Sequence, residues 1–349
     1  MRDTELTSIL RPQLELALGQ SPELQLLDDK GLAHWHVRLQ GTGLLARIPK
    51  QSQMALAPQE NLRYEAACFE RAAACGHVPR LERVIAPSVG LPWGVLLVEE
   101  IEGVPASSPA HLDAIMQALA ALHALPLPSF DMRPPLLSDG DPLAGMLALV
   151  QTQARYLEAP CISEPIRRLL KHRLQVLSGT LAQACDGLAS RLISFDAHPG
   201  NFLMTPAGKA VLVDLEKCRY SYPPLDLAHA TLYTSTTWDV NASFALSAGQ
   251  VAAAYASWTA SAGDMAKTYV RAFVPLRELM WLWSVTWCAK WRVESTRPRN
   301  GCADGEDWSQ DNSDAALISH VRSRVDDYLS MQTVARVQAE FQTLTRLFS

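Results

Sequence analysis

Several features are missing from this 349-residue sequence, and each absence narrows the class of protein. No run of about 18 uncharged apolar residues exists, so no transmembrane helix and no membrane partner are expected. The seven cysteines form no C-x-x-C pair, which argues against a disulfide framework or a zinc site and for a reducing compartment. The N-terminus is polar and lacks the apolar region of a secretory signal, so we expect a cytoplasmic protein.

The sequence also lacks an excess of basic residues. The formal net charge is -5, so nothing favours a nucleic-acid partner, although an acidic surface is compatible with a cationic substrate. The composition, 48% hydrophobic and 19% charged, is that of an ordinary globular protein, and the length suits two domains or one bilobal unit.

The hydrophobic pattern changes character along the chain. Residues 4–18 have helical periodicity, and the segments that follow, up to about residue 99, alternate as short strands around one helix at 60–75. Beyond Gly103 most segments have helical periodicity, with an exposed loop predicted over 297–314. We therefore predict an α+β fold with a β-rich N-terminal lobe (1–100), a mainly helical C-terminal lobe (101–349) and a ligand cleft between them.

The most informative segment begins at Asp196. An asparagine, Asn201, follows five residues later, and Asp214 follows thirteen residues after that, each acid directly after an apolar segment. Phosphoryl transfer from Mg-ATP needs this layout, because one Asp can accept the proton of a substrate hydroxyl while an Asn and a second Asp hold magnesium through oxygen atoms.

Three fragments in this order resemble the aminoglycoside phosphotransferase and choline kinase group of small-molecule kinases. They are Asp196-x-His-Pro-x-Asn201, Val213-Asp214-Leu-Glu216 and Asp226-Leu-Ala228. The resemblance covers about residues 25–300 and implies a bilobal protein-kinase-like fold. It also implies a phosphotransferase that uses ATP or GTP with Mg²⁺, and a small-molecule hydroxyl acceptor such as an aminoglycoside, an amino alcohol or a sugar.

The resemblance implies specific roles for the acidic residues. Asp196 would be the catalytic acid, Asn201 and Asp214 the magnesium ligands, and Glu216 a further acid that supports the metal through water. Asp226 would hold the backbone of the catalytic loop, or alternatively act as the N-cap of the next helix. His198 is interpreted as a residue that shapes the loop rather than as a second base.

In the small lobe, the resemblance places Arg47 on the strand that carries the phosphate-contacting residue, with Lys50 as a rival because strand register is uncertain. Glu65 would be its ion-pair partner, and the turn at Gly31 would cover the phosphates. Backbone atoms near Glu99 and Ile101 would bind adenine.

The acceptor site is expected after Asp226, with Trp238 and Asp239 as its contacts. Trp283, Trp287 and Trp291 recur one helical turn apart, which favours core packing but also fits an aromatic cage.

The chain departs from the family pattern directly before Asp196. Ser194 and Phe195 stand where the family usually has His-Gly, which removes an imidazole that tethers the loop. A catalytically weak or regulatory nucleotide-binding protein is therefore the alternative function. The oligomeric state stays open.

Overall fold

The fold is taken from a computed structural model that describes residues 3–28, 33–295 and 314–348. The turn predicted at Gly31 and nearly all of the loop predicted over 297–314 lie outside the described residues. No helix in the described part of the chain is long and apolar enough to cross a membrane.

An antiparallel five-stranded sheet forms the first lobe, as the alternating pattern predicts. Its spatial order is β1-β2-β3-β5-β4. The strands are β1 (Leu24–Leu26), β2 (His34–Leu39), β3 (Leu44–Pro49), β4 (Leu81–Ile85) and β5 (Val95–Glu99).

Helices cover both faces of this sheet. Helix α1 (Asp3–Leu18) buries Leu6, Leu10 and Leu14 against one face, because their spacing places them on a single stripe. Pro12 lies inside α1, which nevertheless continues to Leu18. Helix α2 (Pro58–Ala72) packs on the other face, in the core that continues into the second lobe.

The second lobe is mainly helical, in agreement with the prediction. A helix-to-helix core contains α3, α6, α8 and α10, and buried polar side chains on α6 and α10 accompany its apolar residues. Its α-helices are α3 (Leu112–His123), α4 (Pro142–Ala154), α5 (Glu164–Ala184), α6 (Pro223–Thr231), α7 (Tyr233–Thr236), α8 (Ala248–Ala262), α9 (Asp264–Lys267), α10 (Phe273–Glu294), α11 (Ala315–Tyr328) and α12 (Met331–Leu347).

Short strands interrupt the helices where the sequence pattern predicts the catalytic segments. Strand β7 precedes Asp196, and β9 ends two residues before Asp214. The sequence pattern did not predict the partners of these strands, which are only two or three residues long. The strands are β6 (Val104–Pro105), β7 (Arg191–Ile193), β8 (Phe202–Met204), β9 (Ala210–Leu212) and β10 (Arg219–Ser221).

Candidate active site

Asp196 lies in the loop that follows β7, in direct contact with a lysine. The ammonium of Lys217 donates to Asp196 Oδ2 at 2.7 Å, and both side chains are largely buried. Burial opposes ionisation of Asp196, but Lys217 and the nearby His198 and His229 outweigh it and hold the pKa of Asp196 below its usual value. The carboxylate is therefore ionised at neutral pH.

His229 lies on the other side of the same carboxylate. Its Nδ1 is 3.6 Å from Asp196 Oδ1, too far for a good hydrogen bond. Burial lowers the pKa of His229 to about 4, although the Asp196 charge opposes this shift. The imidazole is thus neutral at pH 7, and Lys217 supplies the cation beside Asp196.

Asp226 holds the backbone of the catalytic loop. Its Oδ2 accepts from the N–H of Ser194 at 2.7 Å, and its Oδ1 accepts from the N–H of Phe195 at 2.8 Å. Asp226 lies inside α6, whose N-cap is Tyr222, so the alternative N-cap interpretation is wrong. Ser194 adds a further tether, because its Oγ accepts from the N–H of Asp196 at 3.2 Å.

A buried histidine completes this anchor. Trp258 Nε1 can only donate, so His123 Nδ1 accepts its hydrogen bond at 3.1 Å. His123 Nε2 then carries the proton and donates to Asp226 Oδ2 at 3.1 Å. The described side chains of His123 and Asp226 are fully buried, so this chain of hydrogen bonds fixes the loop from inside the large lobe.

Phe195 has an unusual backbone conformation at this anchor. Its φ is 62°, in the left-handed region that favours glycine, and its side chain is 1% exposed. The ring packs edge-on against Trp283 at 5.1 Å, and the Arg219 guanidinium lies 3.6 Å from its centroid. The buried contacts of the Phe195 ring therefore compensate for the strain of its backbone conformation.

We expect Phe195→Ala to destabilise the protein more than Phe195→Gly, the reverse of the usual order. Both variants lose the ring, which costs about 3–5 kcal/mol, but only glycine also relieves the left-handed φ, worth about 1–2 kcal/mol. Urea unfolding of the two variants measures the difference. A more stable Ala variant would show that the positive φ carries no strain.

Arg47 meets the second acid of the motif. Its Nη2 donates to Asp214 Oδ1 at 2.8 Å and its Nη1 donates to the Val213 carbonyl at 3.0 Å. Burial raises the pKa of Asp214, but Arg47 and His34 outweigh it and leave that pKa well below its usual range. Lys50, the rival from the sequence, instead lies 5.5 Å from the Trp35 ring centroid.

The ion pair predicted between Arg47 and Glu65 is not formed. His34 occupies the partner position instead, and its Nε2 lies 2.9 Å from Glu65 Oε2. Asn61 Nδ2 donates to the other Glu65 oxygen at 2.6 Å. Both oxygens of Glu65 are thus engaged within its own lobe, which leaves Arg47 to reach across the cleft to Asp214.

Oxygen atoms suitable for a hard cation gather at this end of the cleft. Asn201 donates its amide N–H to the Asp196 carbonyl at 2.8 Å, so its amide oxygen is the atom left for a ligand. Asp214 and Glu216 offer carboxylates, and His34 Nδ1 lies 3.4 Å from Glu216 Oε2. Ligand atoms of His34, Asp214 and Glu216 all lie within 4.8 Å of one another. The oxygen atoms of Asn201, Asp214 and Glu216 fit Mg²⁺, whereas His34 offers a nitrogen that suits softer metals.

Burial and the Asp214 charge raise the pKa of Glu216 well above its usual range. Lys217 and Arg47 oppose this shift without cancelling it, so a bound cation would further favour the charged form of Glu216.

One cavity is lined by residues of both lobes, but the predicted residues in its lining all belong to the second lobe. It runs from β2 past the catalytic loop to α10 and α11. The lining leaves out Arg47, Glu65, Glu99, Ile101 and Asp226. The predicted residues in the lining are Asp196, His198, Asn201, Asp214, Glu216, Trp238 and Asp239.

The far wall of this cavity is aromatic. Trp238 packs edge-on against Trp287 at 5.4 Å, and Trp283 also lines the cavity. Trp291 is 3% exposed and lies in the core, whereas Trp283 and Trp287 pack against the core and also line the cavity, so the core interpretation holds fully only for Trp291. The carboxyl group of Asp239 lies against Gly200, where an added Cβ would come within 2.6 Å of it.

The predicted adenine contacts lie apart from this cavity, where the chain leaves β5. The N–H of Glu99 already donates to the Arg80 carbonyl at 2.9 Å, and the N–H of Glu100 to the Gly43 carbonyl at 2.8 Å. Any adenine contact at Glu99 must therefore use another backbone atom.

Sequence reasoning missed Lys217, His229 and the contacts of His34. The sequence does contain a signal for His229, because it lies about one helical turn after Asp226 on α6 and so faces the same loop. The sequence contains no such signal for Lys217. In an alternating strand its side chain would lie on the other face from Asp214 and Glu216, but β9 ends at Leu212 and the alternation stops there.

Two lobes with an Asp-Asn-Asp site between them define a kinase-like phosphotransferase. The family model described as the phosphotransferase enzyme family matches residues 25–264, so the chain belongs to this family. No curated protein sequence matches the chain significantly.

Solved structures of the same fold confirm the predicted architecture. A choline/ethanolamine kinase family protein from Mesorhizobium loti has a TM-score of 0.60 at 16% identity, over 97% of this chain and 99% of that chain. An aminoglycoside 2'-phosphotransferase-IIIa has a TM-score of 0.62 at 15% identity, over 93% and 98%. The choline kinase from Streptococcus pneumoniae has a TM-score of 0.56 at 13% identity, over 92% and 99%.

Proposed function

We propose that this protein transfers the γ-phosphoryl group of Mg-ATP or Mg-GTP to a hydroxyl of a small molecule. The observation that supports this most directly is that Asp196, Asn201 and Asp214 line one cavity between the lobes. These are the residue types that phosphoryl transfer requires, and positioning and charge supply most of its catalysis.

Asp196 acts on the acceptor in this proposal. Its ionised carboxylate accepts the hydroxyl proton while the acceptor oxygen forms a bond to the γ-phosphorus. The bond between that phosphorus and the bridging oxygen of the nucleotide breaks, and the nucleoside diphosphate leaves. Asp226 and Ser194 hold the loop so that Asp196 keeps its position during transfer.

Asn201 and Asp214 would hold Mg²⁺ in this proposal, with Glu216 as a further acid. The metal would neutralise phosphate charge. Arg47, which pairs with Asp214 in this structure, would contact the phosphates through its planar guanidinium. Among the structural neighbours, one aminoglycoside phosphotransferase was solved with GDP and the choline kinase from Streptococcus pneumoniae with AMP. Both ATP and GTP are therefore proposed as phosphoryl donors.

Asp214→Ala is expected to abolish the thermal stabilisation that Mg-ATP gives the native protein. Removing the carboxylate takes away one metal ligand and frees Arg47. A native protein at 100 times its Kd gains about 2.7 kcal/mol from the nucleotide, and the variant should gain almost none.

Asp264→Ala is the matched control, because the Asp264 side chain is 95% exposed and ion-pairs with the exposed Lys267. Native-like stabilisation of the Asp214 variant by Mg-ATP would contradict the proposed metal site.

One observation favours a catalytically weak protein as the alternative. Arg47 ion-pairs with Asp214 through Oδ1, so a buried guanidinium already engages one of the two oxygens expected to hold Mg²⁺. Nucleotide hydrolysis without acceptor distinguishes the two functions. Slow Mg-dependent hydrolysis supports the enzyme, whereas nucleotide binding with no hydrolysis and no transfer to any acceptor supports the alternative.

A further inference from the structure

The wall of the cavity opposite the small lobe is built from α10, α11 and the segment after α7. Trp238 stands edge-on to Trp287, with an interplanar angle of 83°, and lies 6.5 Å from the Tyr328 ring. Trp283 continues this wall towards the catalytic loop, 5.7 Å from His229. We call these four rings, Trp238, Trp283, Trp287 and Tyr328, the aromatic wall. Flat apolar molecules pack well against such a surface.

The positions of these rings are held by hydrogen bonds to neighbouring elements. The Tyr328 hydroxyl pairs with Thr237 Oγ1 at 2.9 Å. The Trp238 carbonyl accepts from His320 Nε2 at 2.7 Å. The wall is thus a preformed surface that can bind a ligand without first ordering its own side chains.

Free negative charge is scarce along this wall. Among the described lining residues of α7, α10, α11 and the segment after α7, the one carboxylate is Asp239. Asp239 already accepts from the N–H of Asn241 at 2.7 Å and lies against Gly200. A polycation would therefore find no cluster of acids on the acceptor side.

Lys217 adds positive charge at the reacting end. Its ammonium is 2.7 Å from Asp196 Oδ2 and lines the same cavity. A hydroxyl hydrogen-bonded to Asp196 therefore lies within roughly 6 Å of this ammonium. A second cation two carbons away from that hydroxyl would have to compete with Lys217 for the Asp196 carboxylate, which is already paired with it.

The cavity also offers neutral polar groups. Thr234 lines it and is 5% exposed, and its Oγ1 has no hydrogen-bond partner among the described residues. Trp283 Nε1 is likewise buried and unpaired within the described chain. Buried polar atoms cost free energy unless a ligand or water pairs with them. Both groups suit an uncharged oxygen, one as donor or acceptor and one as donor.

We propose that the acceptor is an uncharged alcohol with a flat, apolar body that packs on the aromatic wall, and that Lys217 excludes alcohols with a cationic group beside the hydroxyl. The proposal rests on the proposed function and specifies its acceptor. Lys217 determines specificity through charge, and Thr234 and Trp283 pair with a neutral oxygen of the substrate.

Choline and its carbon isostere 3,3-dimethylbutan-1-ol provide a matched test, because they share size and shape and differ in charge. The native protein with Mg-ATP should use the neutral alcohol with a kcat/KM at least about tenfold higher than that for choline, given one screened like-charge contact. Benzyl alcohol and 2-phenylethanol should exceed kanamycin in the same assay. A native preference for choline or kanamycin would overturn the proposal.

Lys217 variants separate charge from shape. Lys217→Met should reduce the ratio of kcat/KM between neutral alcohol and choline about tenfold, whatever its effect on absolute rate. Lys217→Arg keeps the charge and should keep the ratio. An unchanged ratio in Lys217→Met would overturn the role of Lys217.

Binding without turnover gives an independent reading. Quenching of tryptophan fluorescence should report tighter binding of 3,3-dimethylbutan-1-ol than of choline. Trp287→Leu should weaken the binding of 3,3-dimethylbutan-1-ol. Equal binding of the two ligands would contradict the proposal. Failure of the proposed function itself would be recognised separately, as a native protein that neither binds nor hydrolyses Mg-ATP.

Discussion

Asp196→Asn is expected to lower phosphoryl transfer about a thousandfold while Mg-nucleotide binding stays close to native. Asn keeps the size of the side chain and an oxygen for Lys217 Nζ, which now lies 2.7 Å from Asp196 Oδ2. It cannot accept the hydroxyl proton at neutral pH. A steady-state transfer assay, paired with a thermal shift in Mg-ATP, separates chemistry from binding.

Asp264→Asn is the control for this experiment, since it makes the same chemical change at a 95% exposed site. Full transfer activity in the Asp196 variant would contradict the assignment of Asp196 as the residue that accepts the proton. Loss of nucleotide binding together with activity would instead show that the substitution disturbs the whole cleft.

Asp226→Ala is expected to destabilise the protein by about 3–5 kcal/mol, because it breaks a fully buried hydrogen-bond network. The N–H groups of Ser194 and Phe195 and the Nε2–H of His123 all lose their acceptor. Transfer activity should fall as well, because Asp196 follows these two residues directly. Urea unfolding measures the stability, and the transfer assay the activity.

Two further variants distinguish the contribution of the His123 hydrogen bond to stability and activity from that of the two backbone hydrogen bonds to the loop. His123→Phe removes one donor to Asp226 and leaves both backbone bonds, so we expect a smaller loss of stability and nearly native activity. Asp226→Asn keeps the shape but turns its NH₂ group towards an N–H donor of the loop, so it should resemble Asp226→Ala. A stable, active Asp226→Ala protein would show that the loop holds its conformation without this anchor.

Local pattern was sufficient to predict most of the architecture. Alternation over residues 35–39 and 44–48 predicted neighbouring antiparallel strands, which the structure pairs from His34–Pro49 to Leu39–Leu44. Helical periodicity predicted the long helices to within a few residues. The short strands that lead to Asp196 and Asp214 were expected from the apolar segments before each acid, but their partners β10 and β8 were missed, since such segments are too short to show a period.

Side-chain partners were predicted less well than positions along the chain. The sequence places Arg47 and Glu65 in one lobe, yet Arg47 pairs across the cleft with Asp214 and Glu65 pairs with His34. Partner choice depends on which groups converge after the lobes pack, and spacing along the chain carries no information about that distance.

Asp196, Asn201 and Asp214, each placed by an apolar segment or loop, by themselves predicted the class of chemistry, because phosphoryl transfer needs a proton acceptor and oxygen ligands for magnesium. Periodicity by itself also determined the two kinds of lobe. Only the tertiary structure decided that Lys217 sits beside Asp196 and that Trp283 and Trp287 form a cavity wall. The first depends on how the segment between β9 and β10 returns to the loop after β7, and the second on how α10 packs against α6. None of the three residues differs in local pattern from a surface lysine or a core tryptophan.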